Sequence, residues 1–393
     1  MQHAPAVLRS VLLAGLLAGA LLPAQAVARF DEVKAGFRSS ETLVLSREGE
    51  VLQRVRTDRS VRRGEWVALA QVSAALRTAL VLSEDKRFYE HSGVDWAAAG
   101  AAAWGNLWNQ RTRGASTITM QLAGLLDGPD SSFLSQGPGG RSVVQKAGQA
   151  VAAQVLDRRW SKAQILEAYL NLVPFRGELV GIDALSRTLF GKAPHGLDAR
   201  EAAVAAALVR APNASPAQVG RRACGVLKDM QPAQPPDCDT VAFFAEAALK
   251  RRAFDASEGV APHYSQIVLR QALRNAAEQA ASVRTTLSAP LQRFAVQTLQ
   301  RQLRELSRQR VADGAVVVLD NASGQVLAWV GSTGALSAAA EVDGVLAPRQ
   351  PGSTLKPFLY AQAIAEQRLT AASLLDDAPT QIPTAGGLYI PQN

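Results

Sequence analysis

The segment that decides the fold is "VLSEDKRFYEHSG", Val81–Gly93, in which acidic, basic and aromatic side chains and a histidine stand between apolar, alanine-rich stretches. If a helix continued through this segment, Glu84, Phe88 and His91 would share one face at i, i+4 and i+7. A carboxylate beside apolar rings loses hydration, which raises its pKa towards values that suit a general base. Glu84 is therefore a candidate catalytic base, although one acid on a helix face is also a common surface arrangement.

Residues 66–253 around this segment are alanine-rich, with apolar residues three and four positions apart. "SKAQILEAYLNLV", Ser161–Val173, is typical of them. Ser161 can cap a helix start, and one apolar stripe follows it, formed by Ile165, Leu166, Tyr169, Leu170 and Val173. This part of the chain is predicted to be mostly α.

The pattern changes further along the chain. "DGAVVVLDNASGQVLAWVGS", Asp313–Ser332, has two β-rich runs separated by residues 321–325, which predicts a hairpin. Helical periodicity resumes after Gly352, so the C-terminal part is predicted to be α+β or α/β.

Composition limits the class of protein. The chain has 393 residues, 48% of them apolar and 19% charged, which favours two or more folded domains and excludes a largely disordered chain. The formal net charge of +8 points to anionic partners, and both nucleic acid and anionic lipid satisfy it.

The N-terminal residues favour export. Ser10–Ala28 is an apolar run of membrane-spanning length, whereas Ala24-Gln25-Ala26 has the small-x-small form of a cleavage site. The run is therefore an uncleaved anchor or a signal peptide. Further on, Arg54–Arg63 carries five arginines, which suit either anionic headgroups or a solvated loop.

Two cysteines, Cys224 and Cys238, fit an oxidising compartment, where they could form a disulfide; two free thiols remain equally open. The four histidines are scattered and no CxxC pair occurs, so the pattern predicts no zinc-type site.

A second motif follows the opening segment. "RTRGASTITMQLAGLL", Arg111–Leu126, places a glycine, small hydroxyl residues and Gln121 directly after two arginines. Backbone N–H groups, hydroxyls and guanidinium groups suit a phosphate ester. A hydroxyl-rich helix start would explain the motif equally well if it stood alone.

In order and spacing, "SEDKRFYEHSGVD", "GASTITMQL", "QKAGQ" and "KAQILEAYLNLVPFRGELVGIDALSRTLFGK" resemble successive motifs of the family 51 peptidoglycan glycosyltransferases. Downstream, "VRTTLSAPLQRFA", "VVVLDNASGQVLAWVGS" and "RQPGSTLKPFLYAQAI" resemble the linker and early transpeptidase part of class A penicillin-binding proteins. Several motifs in order are far more specific than any one of them.

The resemblance implies a multidomain chain. A mostly α, lysozyme-like glycosyltransferase domain would follow an N-terminal apolar helix and precede the incomplete start of an α/β penicillin-binding transpeptidase domain. The expected parts are a signal anchor or signal peptide (1–29), a juxtamembrane segment (30–65), the glycosyltransferase domain (66–255), a linker (256–310) and the truncated transpeptidase part (311–393).

The implied reaction polymerises lipid II by an inverting displacement, with loss of undecaprenyl diphosphate. Glu84 would be the base, and Arg113, Lys146 and a divalent cation, Mg²⁺ or Mn²⁺, would balance the diphosphate, with Asp85 as a candidate metal ligand. The residues expected to bind substrate are Asp85, Phe88, His91, Arg113, Gly114, Ser116, Thr117, Gln121, Lys146, Gln149, Glu167 and Asn171.

The chain departs from the family pattern at two positions. The third motif is usually Arg-Lys-x-x-Glu, but here it is Gln145–Gln149, so an amide replaces a carboxylate. A basic residue often found after the second motif is replaced by Gly124. A neutral hydrogen bond in place of a charged one costs about 1 kcal/mol or more, which predicts a slower enzyme.

The transpeptidase signature Ser-x-x-Lys occurs at Ser353–Lys356 and also, by coincidence, at Ser83–Lys86. A Pro-Gly turn before Ser353 favours the first as nucleophile and base. Because the chain contains no Ser-x-Asn and no Lys-Thr/Ser-Gly motif, we expect no transpeptidase activity and no stable acylation by a β-lactam.

The sequence therefore predicts a peptidoglycan glycosyltransferase in the bacterial inner membrane, with a single N-terminal anchor and periplasmic domains. Its expected partners are lipid II, the growing glycan strand, the membrane and other wall-synthesis proteins, and not nucleic acid. The alternative is a weakly active or inactive scaffold that binds lipid II. A glycan hydrolase on the same fold is less favoured, because it would need a second acid across the bond.

Overall fold

The computed structural model describes residues 28–98, 100, 116–127, 143–250, 257–275, 281–309, 311–376 and 378–391. Its helices are α1 (Phe30–Gly36), α2 (Ala74–Glu84), α3 (Ile118–Leu126), α4 (Val143–Arg159), α5 (Lys162–Leu172), α6 (Ile182–Leu185), α7 (Ala199–Arg210), α8 (Pro216–Met230), α9 (Cys238–Leu249), α10 (Pro262–Asn275), α11 (Ala289–Glu305) and α12 (Lys356–Ala365). Its strands are β1 (Glu41–Leu45), β2 (Val51–Arg56), β3 (Arg62–Arg63), β4 (Pro174–Arg176), β5 (Leu179–Val180), β6 (Ser257–Gly259), β7 (Ser282–Arg284), β8 (Val316–Leu319), β9 (Val326–Val330), β10 (Ile382–Thr384) and β11 (Gly387–Tyr389).

A helical unit occupies the middle of the chain. Helix α2 packs against α7, α8 packs against both α7 and α9, and α3 packs against α4 and α5. Six consecutive small or apolar residues of α7, 202–207, are almost completely buried, because alanine side chains let neighbouring helices approach closely. The largest fully buried side chains of this unit include Leu76, Leu80, Phe88, Ile118, Leu122, Leu156, Ile165, Leu166, Tyr169, Leu170 and Phe175.

The capped helix predicted after Ser161 is confirmed. The Ser161 hydroxyl accepts a hydrogen bond from the Gln164 N–H, and the Gln164 side chain accepts one from the Ser161 N–H in return. The predicted stripe from Ile165 to Val173 is buried. Local capping and periodicity were therefore sufficient to predict this helix from the sequence.

The helix through the opening segment ends earlier than the shared-face prediction required. Asp85 has φ −160° and ψ 79°, which ends α2 at Glu84, and residues 86–94 form turns. In this non-helical conformation the Asp85 carboxylate accepts hydrogen bonds from the His91 ring and from the Ile118 N–H. Glu84, Phe88 and His91 therefore do not lie on one helical face, because tertiary hydrogen bonds outweigh the helical periodicity.

Strands that precede the helical unit in the chain, β1 and β2, and strands that follow it, β6 and β7, form a four-stranded sheet in the order β6-β2-β1-β7. Strand β1 is antiparallel to β2 and parallel to β7, and β2 is antiparallel to β6. The arginine-rich stretch at 54–63 contributes to β2 and β3, and Arg56 and Arg62 both form ion pairs with Glu178. These two arginines stabilise the junction with the helical unit, a role that a charge run alone does not reveal.

The predicted hairpin is confirmed. Strands β8 and β9 pair antiparallel, with Val316 opposite Val330, and α11 packs against β9. Helix α12 and the hairpin β10–β11 follow, and nearly all described side chains from 351 to 391 are exposed.

A disulfide joins Cys224 on α8 to Cys238 at the start of α9. With a sequence separation of 14 residues, a bridge of this kind contributes about 3 kcal/mol by restricting the unfolded chain.

Within the described part of the chain, no helix combines the length and apolar character that crossing a bilayer requires. Residues 1–27, which include all but the last residue of the apolar N-terminal run, lie outside the described residues.

Candidate active site

Glu84 is the last residue of α2 and lies beside the start of α3. Its carboxylate accepts a hydrogen bond from the Ser83 hydroxyl at 3.1 Å and one from the Gln121 amide Nε2 at 3.2 Å. The side chain is half-buried, so one side of it stays accessible. Glu84 and Gln121 are 37 residues apart in sequence, and the fold brings the end of α2 and the first turn of α3 within hydrogen-bond distance.

The environment of Glu84 suits a base. Burial raises the pKa of Glu84, and the neighbouring Asp85 raises it further, while hydrogen bonds from Gln121 and Ser83 and the positive charge of Arg210 oppose the rise. The net effect is that the pKa of Glu84 is raised. A carboxyl group with a raised pKa holds a proton more tightly than an ordinary glutamate, as proton abstraction requires.

Tyr169, on α5, completes this arrangement. Its hydroxyl donates a hydrogen bond to Gln121 Oε1 at 2.7 Å, and its side chain is fully buried. Burial, together with the negative charges of Glu84 and Asp85, raises the pKa of Tyr169 well above its ordinary value. The hydroxyl therefore stays protonated over the whole physiological pH range.

Asp85, next to Glu84, connects the opening segment to the start of α3 through its carboxylate. Its two carboxylate oxygens lie 3.0 and 3.1 Å from His91 Nε2, and one of them accepts the Ile118 N–H at 3.1 Å. Lys162 supports the same turn, because its Nζ donates to the His91 carbonyl and lies 4.7 Å from the centre of the Phe88 ring. Asp85, Phe88 and His91 thus fix the chain beside Glu84.

The second motif begins α3 at the same place. The Thr117 hydroxyl accepts the Met120 N–H and donates to the Gly93 carbonyl, so it caps the helix and ties it to the opening segment. Ser116, one residue before the cap, is exposed at the helix start.

Glu167 and Asn171 lie on α5 and hold residues 66–69. The Glu167 carboxylate accepts hydrogen bonds from the Trp66 indole N–H and the Leu69 N–H, and Asn171 bonds both the N–H and the carbonyl of Val67. Burial alone would raise the pKa of Glu167, but these donors and Lys34 together lower it. Both residues were predicted to bind substrate; their polar atoms contact the protein itself, and substrate binding by them stays a prediction.

The remaining predicted site residues lie outside the described residues, on α4, or near the start of α12. Arg113 and Gly114 lie outside the described residues, and Lys146 lies on α4 with a side chain outside them. Gln149 lies on α4 as well and is half-buried. Ser353 is exposed on the short turn Gly352–Leu355, and Lys356 begins α12 after it.

Two residues with a role at this site were not among the sequence-derived site residues. Arg210 ends α7 and donates a hydrogen bond to the Ser83 carbonyl at 3.3 Å, but no pattern in the sequence distinguishes it from other surface arginines. Tyr169 fitted the apolar stripe of α5 and matched the fourth motif of the family, but no role was assigned to it. A hydroxyl on a fully buried stripe was the signal that could have identified it, because buried hydroxyls need a partner.

The described residues contain no group of three or more histidine, cysteine, aspartate or glutamate side chains that could hold a metal ion. Asp85, the candidate ligand, already directs both carboxylate oxygens at His91 and Ile118. Among the described residues, Asp85 and its neighbours therefore do not form a ligand set for a resident divalent cation.

Comparison with known proteins gives two matching family models. The Transglycosylase model matches residues 48–231, and the model of the Penicillin binding protein transpeptidase domain matches residues 314–388. The first match contains Glu84, Gln121 and Tyr169, and the second contains Ser353.

Relatives of two kinds are similar to this chain. Penicillin-binding protein 1C of Escherichia coli is 33% identical over 84% of this chain and 41% of that protein, and penicillin-binding protein 1F of Bacillus subtilis is 28% identical over 92% and 50%. A biosynthetic peptidoglycan transglycosylase of Shewanella amazonensis is 37% identical over 43% of this chain and 67% of that protein. The chain thus spans half or less of the length of the two penicillin-binding proteins.

Proposed function

Because the chain belongs to the peptidoglycan transglycosylase family, we propose that it polymerises lipid II into glycan strands during bacterial cell wall synthesis. The observation that supports this most directly is the Glu84 carboxylate, half-buried, with a raised pKa, and held by Ser83 and Gln121 at the junction of α2 and α3. A lipid II-binding protein without catalysis has no need of a base at this position.

In the proposed reaction Glu84 takes the proton of the 4-hydroxyl of the acceptor GlcNAc as that oxygen attacks C1 of the donor. The bond from C1 to the diphosphate breaks, and undecaprenyl diphosphate leaves with the electron pair. The α-linked donor gives a β-linked product, so one displacement suffices and no covalent intermediate forms. Ser83 and Gln121 keep the carboxylate in place before it receives the proton.

The leaving group carries negative charge, which positive charge or N–H donors must balance. Arg113 and Lys146 are the proposed cations, and exposed Ser116 at the start of α3 is a proposed donor. A divalent cation stays a prediction. If it is needed, adding EDTA to the polymerisation assay should stop product formation, and excess Mg²⁺ or Mn²⁺ should restore it.

The direct test is polymerisation of labelled lipid II by the detergent-solubilised chain, with glycan strands separated by gel electrophoresis. Product that a muramidase digests would support the proposal. Lipid II that binds without being polymerised would instead favour the scaffold. Gln149 and Gly124, where the family usually has charged residues, are the observations in favour of that second candidate.

We further propose that the chain acts at the periplasmic face of the inner membrane, held by its N-terminal apolar run, with a lysozyme-like glycosyltransferase domain over the bilayer. The net charge of +8 suits the anionic lipid surface and the anionic substrate. Fractionation of the full chain, with release by detergent and not by salt or carbonate, would test the anchor.

We expect no stable acylation of Ser353 by a β-lactam. Nearly all described residues from 351 to 391 are exposed, so no described side chains form a wall that would orient a substrate against the Ser353 hydroxyl. The measurement is labelling with a fluorescent penicillin, with a complete penicillin-binding protein as positive control. A labelled band that disappears in the Ser353→Ala variant would contradict this prediction.

A further inference from the structure

We propose that Tyr169 is a positioning residue for Glu84, acting through Gln121: its hydroxyl fixes which end of the Gln121 amide faces the carboxylate. The proposal rests on the proposed function, because it assigns Tyr169 to the catalytic base. It goes beyond the sequence prediction, in which Tyr169 belongs to the apolar stripe of α5 and matches the fourth family motif without a role of its own.

The network joins three helices through two hydrogen bonds. Tyr169 on α5 donates to Gln121 Oε1 at 2.7 Å, and Gln121 Nε2 on α3 donates to Glu84 Oε2 at 3.2 Å at the end of α2. Tyr169 is completely buried, and among the described residues Gln121 is the hydrogen-bond partner of its hydroxyl. Water cannot replace that partner.

A glutamine amide can bind in two orientations, with its oxygen and its NH₂ group exchanged. In the orientation described, the NH₂ group faces Glu84 and stabilises the ionised carboxylate. In the reversed orientation the amide oxygen would face Glu84, and only a protonated carboxyl group could donate to it. Gln121 by itself therefore supports both protonation states.

Tyr169 removes this symmetry. If the amide reversed, its NH₂ group would donate to the tyrosine oxygen, and the O–H of Tyr169 would be left buried without an acceptor. A buried donor without a partner is costly, so the hydroxyl favours the orientation in which Gln121 donates to Glu84. The hydroxyl cannot escape by ionising, because burial and the charges of Glu84 and Asp85 raise its pKa.

The predicted consequence is a change in the acid strength of Glu84. Without the hydroxyl, Gln121 can reverse and accept a proton from Glu84, so the protonated form gains support and the pKa rises. Tyr169→Phe should move the acidic limb of the kcat–pH profile to higher pH by about 0.5 to 1 unit. KM for lipid II should be unchanged. Among the described residues, the other ionisable groups that act on Glu84 are Asp85 beside it and Arg210 on α7, and both are left in place.

The test combines Tyr169→Phe with Gln121→Met in a double-mutant cycle. If Tyr169 acts through Gln121, Tyr169→Phe shifts the profile in the wild-type background and causes no further shift in the Gln121→Met background. Tyr264→Phe, which removes a hydroxyl from α10 in a different part of the fold, serves as control and should leave the profile in place. A merely structural role would lower kcat equally at all pH values.

A second readout does not depend on activity. Titration of the Glu84 side-chain carboxyl by carbon-13 NMR, assigned with Glu84→Gln, should give a higher pKa in Tyr169→Phe than in wild type. Equal pKa values, or an equal shift in the wild-type and Gln121→Met backgrounds, would overturn the proposal. If the wild type fails to polymerise lipid II but the Glu84 pKa still depends on Tyr169, the proposed function fails and this inference stands.

Discussion

Replacing Glu84 with glutamine should lower the rate of lipid II polymerisation by about 100- to 10,000-fold, the contribution typical of a general base. The amide cannot take the proton of the attacking hydroxyl. It does fit the site: the amide oxygen can accept from Gln121, and the NH₂ group can donate to the Ser83 hydroxyl, which rotates freely. Lipid II binding should therefore stay close to that of the wild type. The measurement is kcat together with the Kd for lipid II.

Glu90→Gln is the matched control, because it makes the same change at an exposed glutamate of the same segment. We expect that variant to polymerise lipid II at the wild-type rate. Similar rates for Glu84→Gln and wild type would remove Glu84 from the mechanism. Loss of lipid II binding together with rate would show that Glu84 binds substrate and does not act as the base.

The pH dependence follows from the same group. Only the ionised carboxylate can accept the proton, and burial raises the pKa of Glu84. The rate should therefore rise with pH through an apparent pKa above that of an ordinary glutamate, ~4.3. The residual activity of Glu84→Gln should not show this rise with pH.

Local signals in the sequence were sufficient where local interactions determine the structure. The Ser161 cap, the stripe from Ile165 to Val173 and the hairpin at Asp313–Ser332 depend on residues a few positions apart, and all three are confirmed. Glu84 and Gln121 were identified because two motifs resemble those of the glycosyltransferase family. In the structure Gln121 Nε2 lies 3.2 Å from Glu84 Oε2. Nothing local in either motif gives that distance.

The sequence was insufficient where distant residues compete with local preference. Helical periodicity continues from Glu84 to His91, but Asp85 bonds Ile118, 33 residues away, and ends the helix. Likewise, Arg56 and Arg62 bind Glu178, more than 100 residues away. Such partners cannot be identified in one sequence, because every exposed glutamate is an equally plausible partner.

The second large effect is expected at Gly93, where the turn after the opening segment passes α4. Gly93 has φ +86°, and a Cβ at this position would lie 2.5 Å from the Ala153 carbonyl oxygen and 2.8 Å from its carbon. The obstacle is helix backbone, which cannot rotate away as a side chain can. Gly93→Ala should reduce the free energy of unfolding by about 2 to 5 kcal/mol, from left-handed strain and overpacking together.

The same change should impair catalysis. The Gly93 carbonyl accepts the Thr117 hydroxyl at 2.6 Å, and Thr117 caps the helix that carries Gln121. A shift of Gly93 away from α4 would therefore move Gln121 relative to Glu84, and a base displaced by even a fraction of an ångström loses much of its efficiency. Polymerisation should fall at temperatures where the variant is still folded. Urea denaturation monitored by tryptophan fluorescence and the lipid II assay measure the two effects.

Gly177→Ala separates the cost of the left-handed backbone from the cost of the contact with Ala153. Gly177 also has a positive φ, +53°, in the turn between β4 and β5, but among the described residues no atom beyond its two chain neighbours lies within 4 Å of where its Cβ would be. In this control the free energy of unfolding should fall only by the cost of the left-handed conformation, about 1 to 2 kcal/mol. Its polymerisation activity should be unchanged. Equal losses of stability in the two variants would show that the contact with Ala153 has no influence. Full polymerisation by Gly93→Ala would show that the position of α3 does not depend on the turn, because the Gly93 carbonyl is then not needed to hold Thr117.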